Sequence, residues 1–325
     1  MKLRVFLAYG IFAFAVGVLV TSIYVPRPKP GAQGYAGRNP TAIAEFASQL
    51  QFRRYADTPA FRAVQGDTED VYLWDASRKV TGDLLPPKNQ GSVGSCVGFG
   101  TASAVEHLLC VQIATTGQGS FKPISPEAIY GGSRFEIGRL KYGSTLHTNG
   151  DGSVGSWAAQ WANQYGLLTQ DAVGGPYDET RCRAYGRNGV PDALEPTARA
   201  SPVRAVTQVY TWEETLAALR NGHPMTICSN TGFTAQRDRD GFCTASGQWA
   251  HCMAVIGSQD GNRPGVFILN SWGTGYHRGP SGAGNPSPAG FWCDKATFLR
   301  MIRQGECWAF GDAVGFPARK LKWIT

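Results

Sequence analysis

A thiol, an imidazole, a carboxamide and a glutamine stand in this sequence where each could take one part in acyl transfer. Cys96 closes the run Gln90-Gly91-Ser92-Val93-Gly94-Ser95-Cys96, His251 opens His251-Cys252-Met253-Ala254-Val255, and Asn270 begins Asn270-Ser271-Trp272-Gly273. A cysteine attacks a carbonyl carbon as thiolate, so it needs a base beside it. Imidazole can take that proton, and a carboxamide bound to its second nitrogen holds it in one tautomer. Gln90 can donate a side-chain N–H to a developing oxyanion. Each residue alone has an ordinary explanation: a buried structural cysteine, a packed histidine, an Asn-Ser turn. Their joint order points to a nucleophile at Cys96. His107, His147, His223 and His277 lack such a setting and read as surface or packing residues.

The elements around these residues change texture along the chain. Cys96 to Leu109 reads as a helix, with Val97, Ala102, Val105 and Leu109 as its apolar stripe and Gly98 and Gly100 permitting close packing. Cys96 then falls at a helix N-terminus, where unsatisfied amides and the dipole favour a thiolate. Residues 125–130 and 157–165 read as two more helices, the second ending at Gly166. From Val203 onward, short β-rich runs appear at 206–210, 225–228, 252–256 and 266–270, broken by Gly, Asn and Asp. Helices first and strands second predict an α+β class.

The N-terminal quarter is different. Residues 5–25 form an apolar run long enough to cross a bilayer, preceded by Lys2 and Arg4. The reading is a signal anchor over 1–25 with the catalytic domain outside the cytoplasm. A cleaved signal peptide and a secreted product is the competing reading. Residues 26–70 read as a Pro/Gly-rich stalk and spacer: Pro26 to Gly31 is stiff and extended, 32–40 a linker, and 41–55 a spacer helix packing on the domain.

The bulk numbers are those of a globular chain: 325 residues, 42% hydrophobic, 17% charged, with 41 glycines that suit many tight turns. A net charge of +7 is scattered rather than clustered with aromatics, so no nucleic-acid partner is expected. The eight cysteines are Cys96, Cys110, Cys182, Cys228, Cys243, Cys252, Cys293 and Cys307. Setting Cys96 aside leaves an odd number, so a monomer keeps at least one further free thiol. No Cys-x-x-Cys pair occurs, and neither metal nor cofactor is expected. Nothing in the sequence sets an oligomeric state.

At its three motifs, and from about Trp74 to the C-terminus, the chain resembles the papain-like cysteine peptidases. The resemblance implies a two-lobe fold over 71–325, with a helical N-terminal lobe and an antiparallel, β-barrel-like C-terminal lobe. It implies a peptidase working through an acyl-enzyme on Cys96, with His251 as base, Asn270 orienting it and Gln90 in the oxyanion hole. Trp272 would shield the amide–imidazole bond. Peptide or protein substrate would lie along Gly94, Gly152, Ser153 and Trp272, pairing with the loop Asn149-Gly150-Asp151-Gly152-Ser153 as an added strand. An extended N-terminal strand is expected at 71–75. In a zymogen of this family residues 41–55 would be a helical pro-segment covering the cleft, a reading ranked below the spacer helix because the family's long pro-segment helix motif is missing. The alternative is a papain-fold structural or binding protein with weak or no activity. Cell-wall hydrolases of the other common class place a second histidine where this chain has Asn270, and rank lower.

The chain also departs from that pattern. Val97 stands where tryptophan is usual, Val93 and Gly150 replace the best-known disulfide, and Ala250 replaces an acidic or amide residue. Cys182 matches a disulfide cysteine whose partner position falls near Gly132. Cys243 with Cys307 is the one family-like pair left.

Overall fold

A computed structural model describes residues 30–37, 52–64, 66–148 and 150–314. The signal anchor or signal peptide, and most of the expected spacer helix, lie outside these residues. The first elements are a 3-10 turn at Tyr55–Asp57 and α1 (Pro59–Arg62), capped by the Thr58 hydroxyl. A short strand, β1 (Val71–Tyr72), leads directly into α2 (Trp74–Thr81). The strand expected over 71–75 therefore stops at Tyr72. Trp74 and Ser77 recur at helical spacing on the buried face, and the Trp74 indole donates to the Gly284 carbonyl at 3.1 Å.

The helical lobe is built on α3 (Cys96–Thr116), which ends at Gly117 in a left-handed conformation. Among the described helices it is the one apolar and long enough to cross a membrane, but it lies buried in the core. Its glycines are used where backbone crowds it: a β-carbon on Gly98 would meet the Pro126 carbonyl and Tyr130, and one on Gly100 would press on Cys252. Against α3 pack α4 (Pro126–Gly132) and α5 (Gly155–Gln164). Ser125 caps α4 and Pro126 starts it, after which the chain continues as a π-helical stretch over Ser133–Lys141. Then follow α6 (Glu179–Asn188), capped by Asp178, and α7 (Glu195–Arg199).

The second lobe is a seven-stranded antiparallel sheet. Its strands are β1, β2 (Val203–Gln208), β3 (Met225–Phe233), β4 (Ala245–Gln259), β5 (Gly265–Leu269), β6 (Gly290–Asp294) and β7 (Cys307–Ala313). They pair in the order β2-β7-β3-β4-β5-β6, with β1 added on β4. Among the described strands β2 and β6 end this path, so strand pairing does not close the expected barrel. Two helices flank the sheet: α8 (Trp212–Arg220), which opens on a Thr211/Glu214 capping box, and α9 (Lys295–Ile302), capped by Asp294. Glu214 also accepts from Arg54 and from the Ala56 N–H, tying residues 54–56 to α8.

The disulfide differs from the expectation. Cys228 and Cys252 face each other across β3 and β4 and are bridged, whereas Cys243 and Cys307 are free and buried. Strand register decides this, because it sets two cysteines directly opposite one another on neighbouring strands.

Candidate active site

Cys96 is the first residue of α3, fully buried, with its sulfur against the backbone of Cys252 and Gly34. His251 lies on β4, next in the chain to Cys252, and Asn270 immediately follows β5. Pairing of Ala254 with Leu269 brings the two strands into register and sets these side chains together. His251 Nε2 lies 2.9 Å from Asn270 Oδ1. The backbone N–H of Ser271 donates to the same oxygen at 2.7 Å, so that atom is the acceptor and His251 Nε2 carries the proton. His251 Nδ1 is then the basic nitrogen, buried and without a hydrogen-bond partner. No hydrogen bond joins it to Cys96 among the described residues.

Trp272 lies against His251, its ring 4.4 Å from the imidazole centroid to centroid. Trp249 meets both rings edge-on. The bond between His251 and Asn270 is thus sealed from water on the sheet side.

Gln90 is buried between Val93 and Ser271. Its Nε2 donates to the Val93 carbonyl at 2.9 Å, and its Oε1 accepts from the Ser271 hydroxyl at 2.7 Å. Ser271 therefore fixes which way the Gln90 amide faces, a role visible only once the loops are together. One of the two Nε2 protons is used on Val93 and the other is available to an oxyanion. The loops are stitched by backbone bonds: Gln90 N–H donates to the Ser271 carbonyl and Gly273 N–H to the Lys88 carbonyl, both at 2.9 Å.

The four residues expected to hold substrate all touch one stretch of this chain, residues 31–37. Expected to be part of a linker, these residues instead run extended between the lobes. Ser153 N–H donates to the Gly34 carbonyl and Ala36 N–H donates to the Ser153 carbonyl, each at 2.8 Å, a parallel pairing. On the opposite wall, the N–H groups of Gly34 and Tyr35 donate to the Ala250 carbonyl at 3.1 and 2.9 Å. Gln33 accepts from the Ala250 N–H, and the Trp272 indole donates to the Ala32 carbonyl at 3.0 Å. A β-carbon on Gly94 would meet the Gln33 carbonyl, and one on Gly152 would sit 3.2 Å from the Gly34 carbonyl. Gly152 holds its place through Tyr130 and the buried Arg134, whose guanidinium donates to the carbonyls of Gly152, Gly150 and Leu146. Tyr35 is buried, and burial and then the Glu306 charge raise the pKa of its phenol; Glu306 accepts from Ser156 and from the Trp308 indole.

Burial of the covered site sets its electrostatics. It pushes the Cys96 thiol up to about 12, against backbone hydrogen bonding at Cys252, Gly34 and Val97 that pulls the other way. It holds the His251 ring down at about 4, opposed by the bond to Asn270. Burial thus disfavours both the thiolate and the imidazolium in the covered site.

The family model for papain family cysteine proteases matches residues 73–280. Among solved structures, xylellain, a cysteine protease from Xylella fastidiosa, superimposes with a TM-score of 0.58 at 16% identity, covering 88% of this chain and 98% of its own. Proforms superimpose as well. ProCathepsin B S9 from Trypanosoma congolense gives 0.55 at 12% identity, covering 87% of this chain and 86% of its own. Digestive procathepsin L 3 from the larval midgut of Tenebrio molitor gives 0.52 at 16%, covering 83% and 79%. These structures share the fold. No match is found among curated protein sequences.

Proposed function

The chain belongs to the papain family of cysteine proteases, and on that premise we propose that it hydrolyses peptide bonds through an acyl-enzyme on Cys96. One observation carries the reading: His251 has given Nε2 to Asn270 and kept a bare Nδ1, in the strand whose next residue packs on Cys96. When substrate replaces residues 31–37, Nδ1 takes the Cys96 proton and the sulfur adds to the scissile carbonyl carbon. The oxyanion faces the Gln90 amide and the Cys96 N–H. Collapse of this adduct breaks the C–N bond, and the amine leaves with the proton from His251. Water, deprotonated by the same nitrogen, then attacks the thioester and releases the acid and the thiol.

Residues 31–37 act in this reading as a built-in cover, and activity requires their displacement. Substrate then pairs with Ser153 and Ala250, whose backbone groups the cover now occupies, and the space filled by Tyr35 takes a large substrate side chain. Residues 5–25 hold the domain at a membrane on its non-cytoplasmic side. The Cys228–Cys252 disulfide supports an oxidising compartment. Cell fractionation with protease protection tests that placement.

An epoxide thiol trap tests the chemistry. Mass spectrometry after displacement of the cover should find the label on Cys96, with Cys96→Ala as control. A covered thiol and neutral imidazole equally suit a binding protein of this fold. Absence of label from the uncovered wild type would decide for that second reading.

A further inference from the structure

We infer that His277, through the Asn270 side chain, acts with the Ser271 N–H to hold the tautomer of His251 and is a positioning residue for the reaction. The inference rests on the peptidase reading and deepens it. Asn270 Nδ2 lies 3.0 Å from His277 Nε2, His277 Nδ1 lies 3.5 Å from Cys243 Sγ, and Cys243 Sγ lies 3.9 Å from the Gln236 carbonyl oxygen. The Gln236 carbonyl, which can only accept, and the Thr234 hydroxyl, which donates to that same carbonyl, both lie at the Cys243 sulfur, so the thiol hydrogen has acceptors on the side away from His277. The sulfur is then free to accept from His277 Nδ1–H. That leaves His277 Nε2 bare, an acceptor for the Asn270 NH2 group. The Asn270 oxygen must face His251, whose Nε2 is protonated and whose Nδ1 is left as base. A single direction of donation runs from the catalytic ring to a main-chain carbonyl four groups away.

The surroundings keep that direction. The titratable and charged groups against His277 are Arg237, Cys243, Tyr276 and His251, with Trp249 and Phe291 as apolar walls. Arg237 is buried and spends its guanidinium on the carbonyls of His277, Gly279, Pro288 and Gly290, which fixes the loop carrying His277. Burial, then Arg237 and His251, hold the His277 ring down at about 3, so it stays an acceptor at any working pH. Burial likewise pushes Cys243 up to about 12, leaving a neutral thiol able to donate. Ser271 N–H pins the Asn270 oxygen from the other side, so the effect of losing His277 is bounded.

The test uses the full chain with His277→Phe, which keeps shape and removes the acceptor, and His277→Gln, whose terminal oxygen can replace Nε2. Imidazole 15N spectra of the wild type should show His277 protonated at Nδ1 only and His251 at Nε2 only, across roughly pH 5 to 8. In His277→Phe, a measurable minority of His251 rings should become protonated at Nδ1, the Ser271 N–H keeping the rest, and the pH profile of Cys96 alkylation should shift. After displacement of the cover, kcat should fall about tenfold, with KM changed by less than about twofold. His277→Gln should recover most of the loss. A wild-type His277 protonated at Nε2 would overturn the inference even if His277→Phe does not fold. So would a folded His277→Phe with unchanged His251 spectra and alkylation profile. Absence of peptide turnover in the wild type would sink the peptidase reading instead, and the ring spectra would still decide the role of His277.

Discussion

Gly34 and Gly94 meet backbone to backbone, with no room between them for a side chain: a β-carbon on Gly34 would run into the Gly94 carbonyl oxygen. Gly94 lies in the turn leading to the nucleophile, and Gly34 lies on the sulfur itself. The fit of the cover depends on the missing methyl group.

Gly34→Val should therefore displace the cover while leaving the catalytic domain folded. Overpacking of this kind costs about 1–3 kcal/mol, which corresponds to roughly 5- to 160-fold faster alkylation of Cys96 in the uncut chain. Unchanged alkylation kinetics, with the variant folded, would show that residues 31–37 do not guard the thiol.

Acid should loosen the cover. His251 is held near 4 in the closed state against an ordinary value of 6.5, so the closed form binds fewer protons than an open form with a solvated ring. Closure is then fully supported above pH 6.5 and weakens as the pH falls toward 4, levelling off below. The ceiling is about 3 kcal/mol, reached only if opening restores full solvation of the ring. Hydrogen exchange at the Gly34, Tyr35 and Ala36 amides, corrected for intrinsic rate, should show protection falling over that interval. Constant protection between neutral and acid pH would contradict it.

Gln90→Ala should lower kcat about 100-fold by removing an oxyanion donor, together with a stability loss of about 1–3 kcal/mol from the unpaired Val93 carbonyl and Ser271 hydroxyl. Ser271→Ala should have a smaller effect in the same direction, because it frees the Gln90 amide to rotate without deleting it. A Ser271→Ala loss as large as that of Gln90→Ala would mean that the hydroxyl has a separate duty.

The Cys228–Cys252 bridge closes a loop with a sequence separation of 24 between β3 and β4. Chain entropy assigns such a crosslink about 3 kcal/mol. Chemical denaturation of Cys228→Ala/Cys252→Ala should show a loss of that order, and a reductant should have the same effect on the wild type. An unshifted midpoint in both cases would indicate that the two sulfurs are not bonded.

Cys96, His251 and Asn270 were legible because each sits in a contiguous motif whose neighbours declare it, and because β-rich runs mark the strand that carries His251 and the one that Asn270 follows. The cover was not. Glycines at 31, 34 and 37 read equally as slack or as backbone meant for close approach, and only the cleft around them decides. The cysteine pairing was misread because it depends on the register of β3 against β4, which no spacing reveals. The reading of His277 as packing missed its partners for a similar reason. It lies in an irregular loop whose path is set by Arg237, far upstream, through bonds to backbone carbonyls that leave no trace in side-chain pattern.

The backbone stitches joining Lys88 and Gln90 to Ser271 and Gly273 have one more implication. They join the Gln90 loop to the Asn270 loop, so any hinge-like gaping would pull Gln90 away from Ser271. On the proposed peptidase reading, a polypeptide would enter by exchange of one ribbon for another along the groove that residues 31–37 occupy. Protein engineers seeking a more permissive enzyme would do better to reshape the groove walls at Tyr35 than to slacken the joint.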